Sequence, residues 1–133
     1  EKAVSLANNI REVLGGGVNV RALRLIDGNL RRELKDADIL INATSVGMKP
    51  NDAYTPVKRD LLSRNLTVFD IVYDPLETRL LREARSVGAK TVDGLSMLIH
   101  QGAVSFEIWT GVKAPIEVMR EAALRKIREN EGK

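Results

Sequence analysis

The sequence predicts an α/β fold in which helices pack on a mostly parallel sheet of about four strands, and three observations carry that prediction. Helical and strand-like stretches alternate along the whole of the 133 residues. One strand-like stretch, Asp38 to Asn42, is apolar on both faces, which suits a central parallel strand. Polar residues and glycine gather where strands end, at Asn42, Tyr73 and Gly94, on the side where open parallel sheets bind ligands.

The elements follow in order. Ala3, Leu6, Ala7, Ile10, Val13 and Leu14 recur at helical spacing, and Gly15-Gly16-Gly17 closes the run as a C-terminal cap would. Val18 to Ile26 reads as a strand, Asn29 to Lys35 as a short helix, and Asp38 to Asn42 as the next strand. After Met48 comes a loop with Pro50, Asn51, Asp52 and Pro56, then a polar helical turn near Arg59 to Ser63. Leu66 to Tyr73 is a strand, Arg79 to Val87 a helix, and Gly88 turns the chain into a strand from Lys90 to Asp93. This alternation implies right-handed crossovers with helices on the sheet faces.

A helix then runs from Gly94 to about Thr110. At ~100° per residue, Leu95, Leu98, Ile99, Gly102, Phe106 and Trp109 share one side, expected to face the sheet. Met97, Gln101, Val104 and Ile108 lie nearly opposite, so both faces should be covered by something. Pro115 opens the last helix, to about Glu129, with Ile116, Met119, Ala123 and Ile127 on a common side, and the final four residues should fray.

Composition narrows the function classes. One domain with a real core is the expectation for this length, and 44% apolar with 29% charged residues fits a soluble globular chain. The net charge of +3 comes from basic residues spread over helices among acidic ones, with no basic run interleaved with aromatics. Nucleic acid is therefore not an expected partner. Cysteine is absent, which removes disulfides, thiol nucleophiles and cysteine-type zinc sites. The apolar runs are far shorter than a membrane span and no signal peptide is visible, so the expectation is a cytoplasmic protein without a membrane partner. His100, the single histidine, falls away from both helix faces and reads as a surface residue. Asp70, Asp74 and Asp93 lack a histidine or glutamate cluster at ligand spacing, so strand-end and capping roles are expected and no metal.

Several motifs occur in a fixed order: Asn42-Ala43-Thr44-Ser45-Val46-Gly47-Met48, then Asp70-Ile71-Val72-Tyr73-Asp74-Pro75-Leu76-Glu77-Thr78, then Asp93-Gly94-Leu95-Ser96-Met97 through Gln101-Gly102-Ala103, Phe106 and Trp109-Thr110-Gly111. Separate motifs at consistent spacing are more specific than a lone glycine pattern. From about Asp38 to Gly111 the chain resembles the C-terminal, cofactor-binding half of the shikimate dehydrogenase family. The resemblance implies a partial Rossmann-like three-layer domain over residues 1–112, with 113–133 a C-terminal helix and tail packed on it. It implies NADP as cofactor, shikimate and 3-dehydroshikimate as ligands, and a place in aromatic amino-acid biosynthesis. Tyr73 and Gln101 would hydrogen-bond the carboxylate and ring hydroxyls of shikimate. Gly94 and Met97 would lie against the nicotinamide with the Ile71 backbone nearby, and Asn42, Ala43 and Thr44 would border the ribose.

Each residue has a plainer alternative: a strand-end tyrosine, a solvated glutamine, a turn glycine, a core methionine and, for Asn42, an Asx-turn. Ser96 stands where the family usually has glycine.

Two family elements are not found in the sequence. One is the N-terminal substrate domain with the lysine and aspartate that handle the proton. The other is the first βαβ unit, with its Gly-rich turn and the arginine that receives the 2′-phosphate. Gly15-Gly16-Gly17 cannot replace that turn, since it follows a helix and precedes a strand. The expectation is thus a chain with ligand-contacting residues, no catalytic residue, and no turnover by itself. In the order 3-2-1-4-5-6 the strands at Val18 and Asp38 would be separated by the two lost strands, leaving an apolar edge open to a second copy of the chain. A core from Asp38 to Gly111, with the N-terminal strand adapted or paired across chains, is the form expected. A binding or self-association module, and part of a quinate/shikimate dehydrogenase, are the competing readings.

Overall fold

The computed structural model describes residues 1–15 and 17–131. Among these, helices α1 (Lys2–Leu14), α2 (Asp27–Leu34), α3 (Arg79–Ser86), α4 (Gly94–Thr110) and α5 (Ile116–Glu131) accompany strands β1 (Ile39–Asn42), β2 (Thr67–Asp70) and β3 (Lys90–Val92). The strands form one parallel sheet in the order β1-β2-β3. Register places Leu40, Val68 and Thr91 in one cross-strand row and Ile41, Phe69 and Val92 in the next. Because side chains alternate along a strand, those rows face opposite sides.

The core lies on the Val68 side. Leu34 of α2, Leu61, Leu62, Val68, and Leu80, Leu81 and Ala84 of α3 are buried together, with Leu40 packed against them. α3 forms because Leu80, Leu81 and Ala84 share one face while Arg79 and Glu83, one turn apart, pair at 2.7 Å outside. Thr78 caps its first turn, accepting from Leu81 N. On the other side, Ile39 and Ile41 are 60% and 56% exposed, so β1 presents both an unpaired edge and an open apolar face.

The strand expected over 18–26 is not formed: the sheet of the described residues has three strands. This run is held by local and side-chain bonds instead. Arg11 reaches the Val20 carbonyl, Ile26 N donates to Arg24 O at 2.9 Å, and Asn29 Nδ2 donates to the same carbonyl at 2.9 Å. A strand needs a neighbouring ladder, which apolar alternation alone does not provide. Gly16 of the expected cap, and Gly132 and Lys133 of the expected frayed end, lie outside the described residues.

α4 buries a narrower stripe than its angles suggest. Leu95, Ile99 and Ala103 are buried and Phe106 is half-buried, but Leu98 is exposed and Trp109 is 82% exposed. The reason is coverage: every residue from Glu107 to Thr110 is exposed, so the last turn runs past its neighbours. Part of the cover over α4 comes from α5, whose Met119 methyl would lie 3.1 Å from any Cβ added at Gly102. The expected common side of α5, with Ile116, Met119, Ala123 and Ile127, is half-buried. Gly111 ends α4 at φ 68°, donating to Glu107 O. No helix among the described residues is long and apolar enough to cross a membrane.

Candidate functional site

β1 and β2 both stop at a buried polar residue, and the chain beyond each builds one wall of a cleft. Asn42, 3% exposed, ends β1. Its Oδ1 accepts from Thr44 N at 3.1 Å and Thr44 Oγ1 at 2.7 Å, an Asx-turn that throws residues 43–46 away from the sheet. Its Nδ2 donates to Val46 O at 3.1 Å and to Asp70 Oδ1 at 3.0 Å. Every polar atom of the Asn42 side chain is thus bonded inside the protein, so the plainer alternative for this residue is the one formed.

Asp70 ends β2 with no solvent exposure. Oδ1 also accepts from Val72 N at 3.1 Å, and Oδ2 accepts from the hydroxyl of Thr78 at 2.7 Å. Thr78, equally buried, then uses its oxygen to cap α3. Ile71 N donates to Asn42 O at 3.1 Å, carrying the β1–β2 ladder one step further.

Above this network opens a cleft of about 510 Å³, lined by Ala43, Thr44, Ser45 and Met48 on one side and Ile71, Val72 and Tyr73 on the other. Lys49 and Asp74 join the two sides at one end: Lys49 N donates to Asp74 O at 3.2 Å, and Lys49 Nζ lies 3.0 Å from Asp74 Oδ1. The lining is chiefly apolar with a few hydroxyls, the pattern of a small-molecule site.

Of the residues expected from the sequence, Ala43, Thr44, Ile71 and Tyr73 meet in this cleft, and Tyr73 is 45% exposed with its phenol reachable. Asn42 is outside the lining. Gly94 is packed against the backbone: a Cβ there would stand 2.3 Å from Ile71 O and 2.5 Å from Val72 O. Only glycine lets α4 start this close to the end of β2. Met97 is half-buried and Gln101 exposed, both outside the lining. His100 is exposed. Asp93 caps α4, accepting from Ser96 N at 2.8 Å and Ser96 Oγ at 3.2 Å, so the serine in place of glycine is bonded back to the cap.

Ser45, Met48, Lys49 and Val72 also line the cleft without being site candidates in the sequence, and Asp74, read there as a strand-end acid, joins them. Their signal is adjacency, since each is a direct continuation of a strand-end motif. Asp70 and Thr78 were legible only as ends of elements.

Comparison with known proteins places these features in context. The sequence model of the Shikimate 5′-dehydrogenase C-terminal domain matches residues 94–124. The NADP(+) shikimate dehydrogenase of Methanopyrus kandleri is 48% identical over 129 residues, 96% of this chain and 44% of that protein. That of Pyrococcus abyssi is 57% identical over 91 residues, 68% of this chain and 34% of that protein. Among solved structures, a shikimate dehydrogenase in complex with NADP+ superposes with a TM-score of 0.81 at 47% identity, covering 92% of this chain and 42% of that one. The quinate dehydrogenase of Corynebacterium glutamicum in complex with NAD gives 0.79 at 33% identity, covering 93% and 43%. The chain spans less than half the length of the relatives it matches.

Proposed function

Because the chain belongs to the shikimate dehydrogenase family, we propose that it supplies the cofactor-side wall of an NADP-dependent enzyme interconverting 3-dehydroshikimate and shikimate. The observation that carries this reading is the meeting of Ala43, Thr44, Ile71 and Tyr73 in one cleft at the carboxyl ends of β1 and β2. The lining suits the nicotinamide and ribose end of a dinucleotide: a chiefly apolar floor, the hydroxyl of Ser45, and a glycine-seated helix behind Ile71. When bound, the dinucleotide supplies hydride transfer.

The chain's own residues bind and orient. Ala43 and Thr44 border the ribose, and Asn42 supports them from below through its Asx-turn. Ile71 offers its backbone to the nicotinamide ring, and Met97 covers the ring from α4. Tyr73 presents a phenol that can both donate and accept, and Gln101 an amide that can do the same, toward the carboxylate and hydroxyls of a cyclic polyol acid. Lys49 and Asp74 neutralise one another at one end of the cleft, so no residue of this chain is assigned the substrate proton. Turnover therefore needs a proton-handling group from outside these residues, which by themselves are proposed to bind without catalysis. A cytoplasmic, biosynthetic setting goes with this reading.

The test is NADP-dependent oxidation of shikimate by the polypeptide carrying this chain. Tyr73→Phe should raise KM for shikimate about tenfold, the weight of one lost hydrogen bond to a charged group, with kcat less affected. Absence of turnover with both shikimate and quinate would defeat the reading. A kcat/KM greater for quinate would shift it to the narrower alternative favoured by the quinate dehydrogenase likeness. A second reading, self-association, is favoured by the unpaired edge of β1 with Ile39 and Ile41 exposed. Concentration-dependent sedimentation, unaffected by ligand, would support it.

A further inference from the structure

Asp70 is a carboxylate closed off from solvent beside the cleft, and none of the roles above uses it. A buried carboxylate gains little net stability over an apolar residue of similar shape, so stability alone does not account for an acid at this position. Its three hydrogen bonds point to three different parts of the molecule. Val72 N belongs to the second wall of the cleft, Asn42 Nδ2 to the turn that carries the first wall, and Thr78 Oγ1 to the cap of α3.

Asn42 Nδ2, Val72 N and Thr78 Oγ1 all donate to this carboxylate, and that fixes the direction of the hydrogens around it. The Asn42 amide cannot be turned over, because its oxygen would then face Asp70 and its NH2 would face the N–H of Thr44. Thr44 Oγ1, having donated to Asn42, accepts from Val46 N at 3.1 Å. One buried group therefore sets the turn 42–46 and the strand end 70–72 in a single arrangement.

We propose that Asp70 is a positioning residue that acts through Asn42 and Val72 to hold the Ala43–Ser45 and Ile71–Tyr73 walls at the spacing a ligand requires. The proposal rests on the reading of the cleft given above, but its wiring can be tested without that reading. The Thr78 arm provides the control. Thr78→Val removes one bond to the carboxylate and the α3 cap while leaving both cleft-side bonds in place. Asp70→Leu keeps a similar bulk but offers no acceptor to any of the three donors, and Asn42→Ala cuts the first wall alone.

The experiment compares these three variants, in the polypeptide carrying this chain, by thermal melting, by amide hydrogen exchange at Thr44 and Val72, and by binding of NADP+ and shikimate. Thr78→Val should melt lower, yet keep exchange at those amides and both dissociation constants within about twofold, since the cleft-side bonds survive. Asp70→Leu should speed exchange at both amides at least tenfold and weaken binding about tenfold or more, as expected when a supporting shell is lost. Asn42→Ala should do so at Thr44 and spare Val72. If Asp70→Leu and Thr78→Val prove alike in exchange and binding, Asp70 is merely structural and the proposal fails. If Asp70→Leu does not fold, Asn42→Ala decides: unchanged exchange at Thr44 and unchanged binding overturn the proposal. Should the unsubstituted protein bind neither ligand, the functional reading falls, while the exchange pattern still decides whether Asp70 wires the two walls.

Discussion

Residues 1–26 and residues 38–111 carry similar apolar patterns, but only the second region turns its pattern into a core. In the sheet region Val68, Leu80, Leu81 and Ala84 are wholly or almost wholly buried, and each strand end is tied down by Asn42, Asp70 or the Asp93 cap. Among the described residues of the N-terminal region only Ala7 is buried, while Val4, Leu6, Val13, Leu14, Leu25 and Ile26 all stay exposed. Periodicity gives a segment a face, and burial then depends on whether a second surface meets that face. Helix α3 meets the sheet, whereas α1 and the run after it meet little.

The largest test of this contrast is a pair of truncations. Leu81→Ala, at a position with no solvent exposure, should lower unfolding stability by about 3–4 kcal/mol, whereas Leu25→Ala should change it by less than about 0.5 kcal/mol. Denaturant titration of both variants measures this, and equal losses would show that the N-terminal run is packed after all. Next comes Gly94→Ala. The added methyl would overlap the Ile71 and Val72 carbonyls, so α4 must shift, at about 2–3 kcal/mol, and the second wall of the cleft moves with it. Gly111→Ala separates conformation from packing, because nothing stands within 4 Å of its added Cβ. Its φ of 68° alone should cost about 1 kcal/mol, read as a lower melting temperature with ligand binding intact. The smallest effect on stability belongs to the double variant Leu25→Ser, Ile26→Ser, within about 0.5 kcal/mol. Light scattering should nonetheless show less association at high concentration, because two exposed apolar side chains are gone.

Much of this molecule is legible in its sequence. The strands at Asp38, Leu66 and Lys90 and the helices from Arg79, Gly94 and Pro115 lie within a few residues of their predicted bounds, because capping residues and glycine mark their ends. The strand at Val18 was misread because alternation reports a potential face and carries no information about a partner edge. Trp109 was misplaced for a related reason: a helical angle is a direction, and α4 outruns what lies in that direction. Four of the eight proposed site residues meet in the cleft, since strand ends of a parallel sheet converge on one side. The Asn42–Asp70–Thr78 network was illegible because its members lie far apart in sequence and each has an ordinary local explanation. Asp70 could pass as a strand-end acid and Thr78 as a cap.

Asn42 and Asp70 are 28 positions apart, which has a consequence in time. A bond across such a separation cannot form until the intervening chain has closed into its crossover and β1 lies beside β2, so the entropy of that closure comes first. Val46 O, Val72 N and Thr78 Oγ1 are near Asn42 or Asp70 in sequence and can be met early, whereas the bond from Asn42 Nδ2 to Asp70 Oδ1 waits for the sheet. During folding, that bond is a late arrival that certifies register: a β1–β2 pairing slipped by one residue would cost the buried carboxylate its Asn42 donor. The same contact that ties the two walls of the cleft together therefore selects against misregistered chains before any ligand arrives.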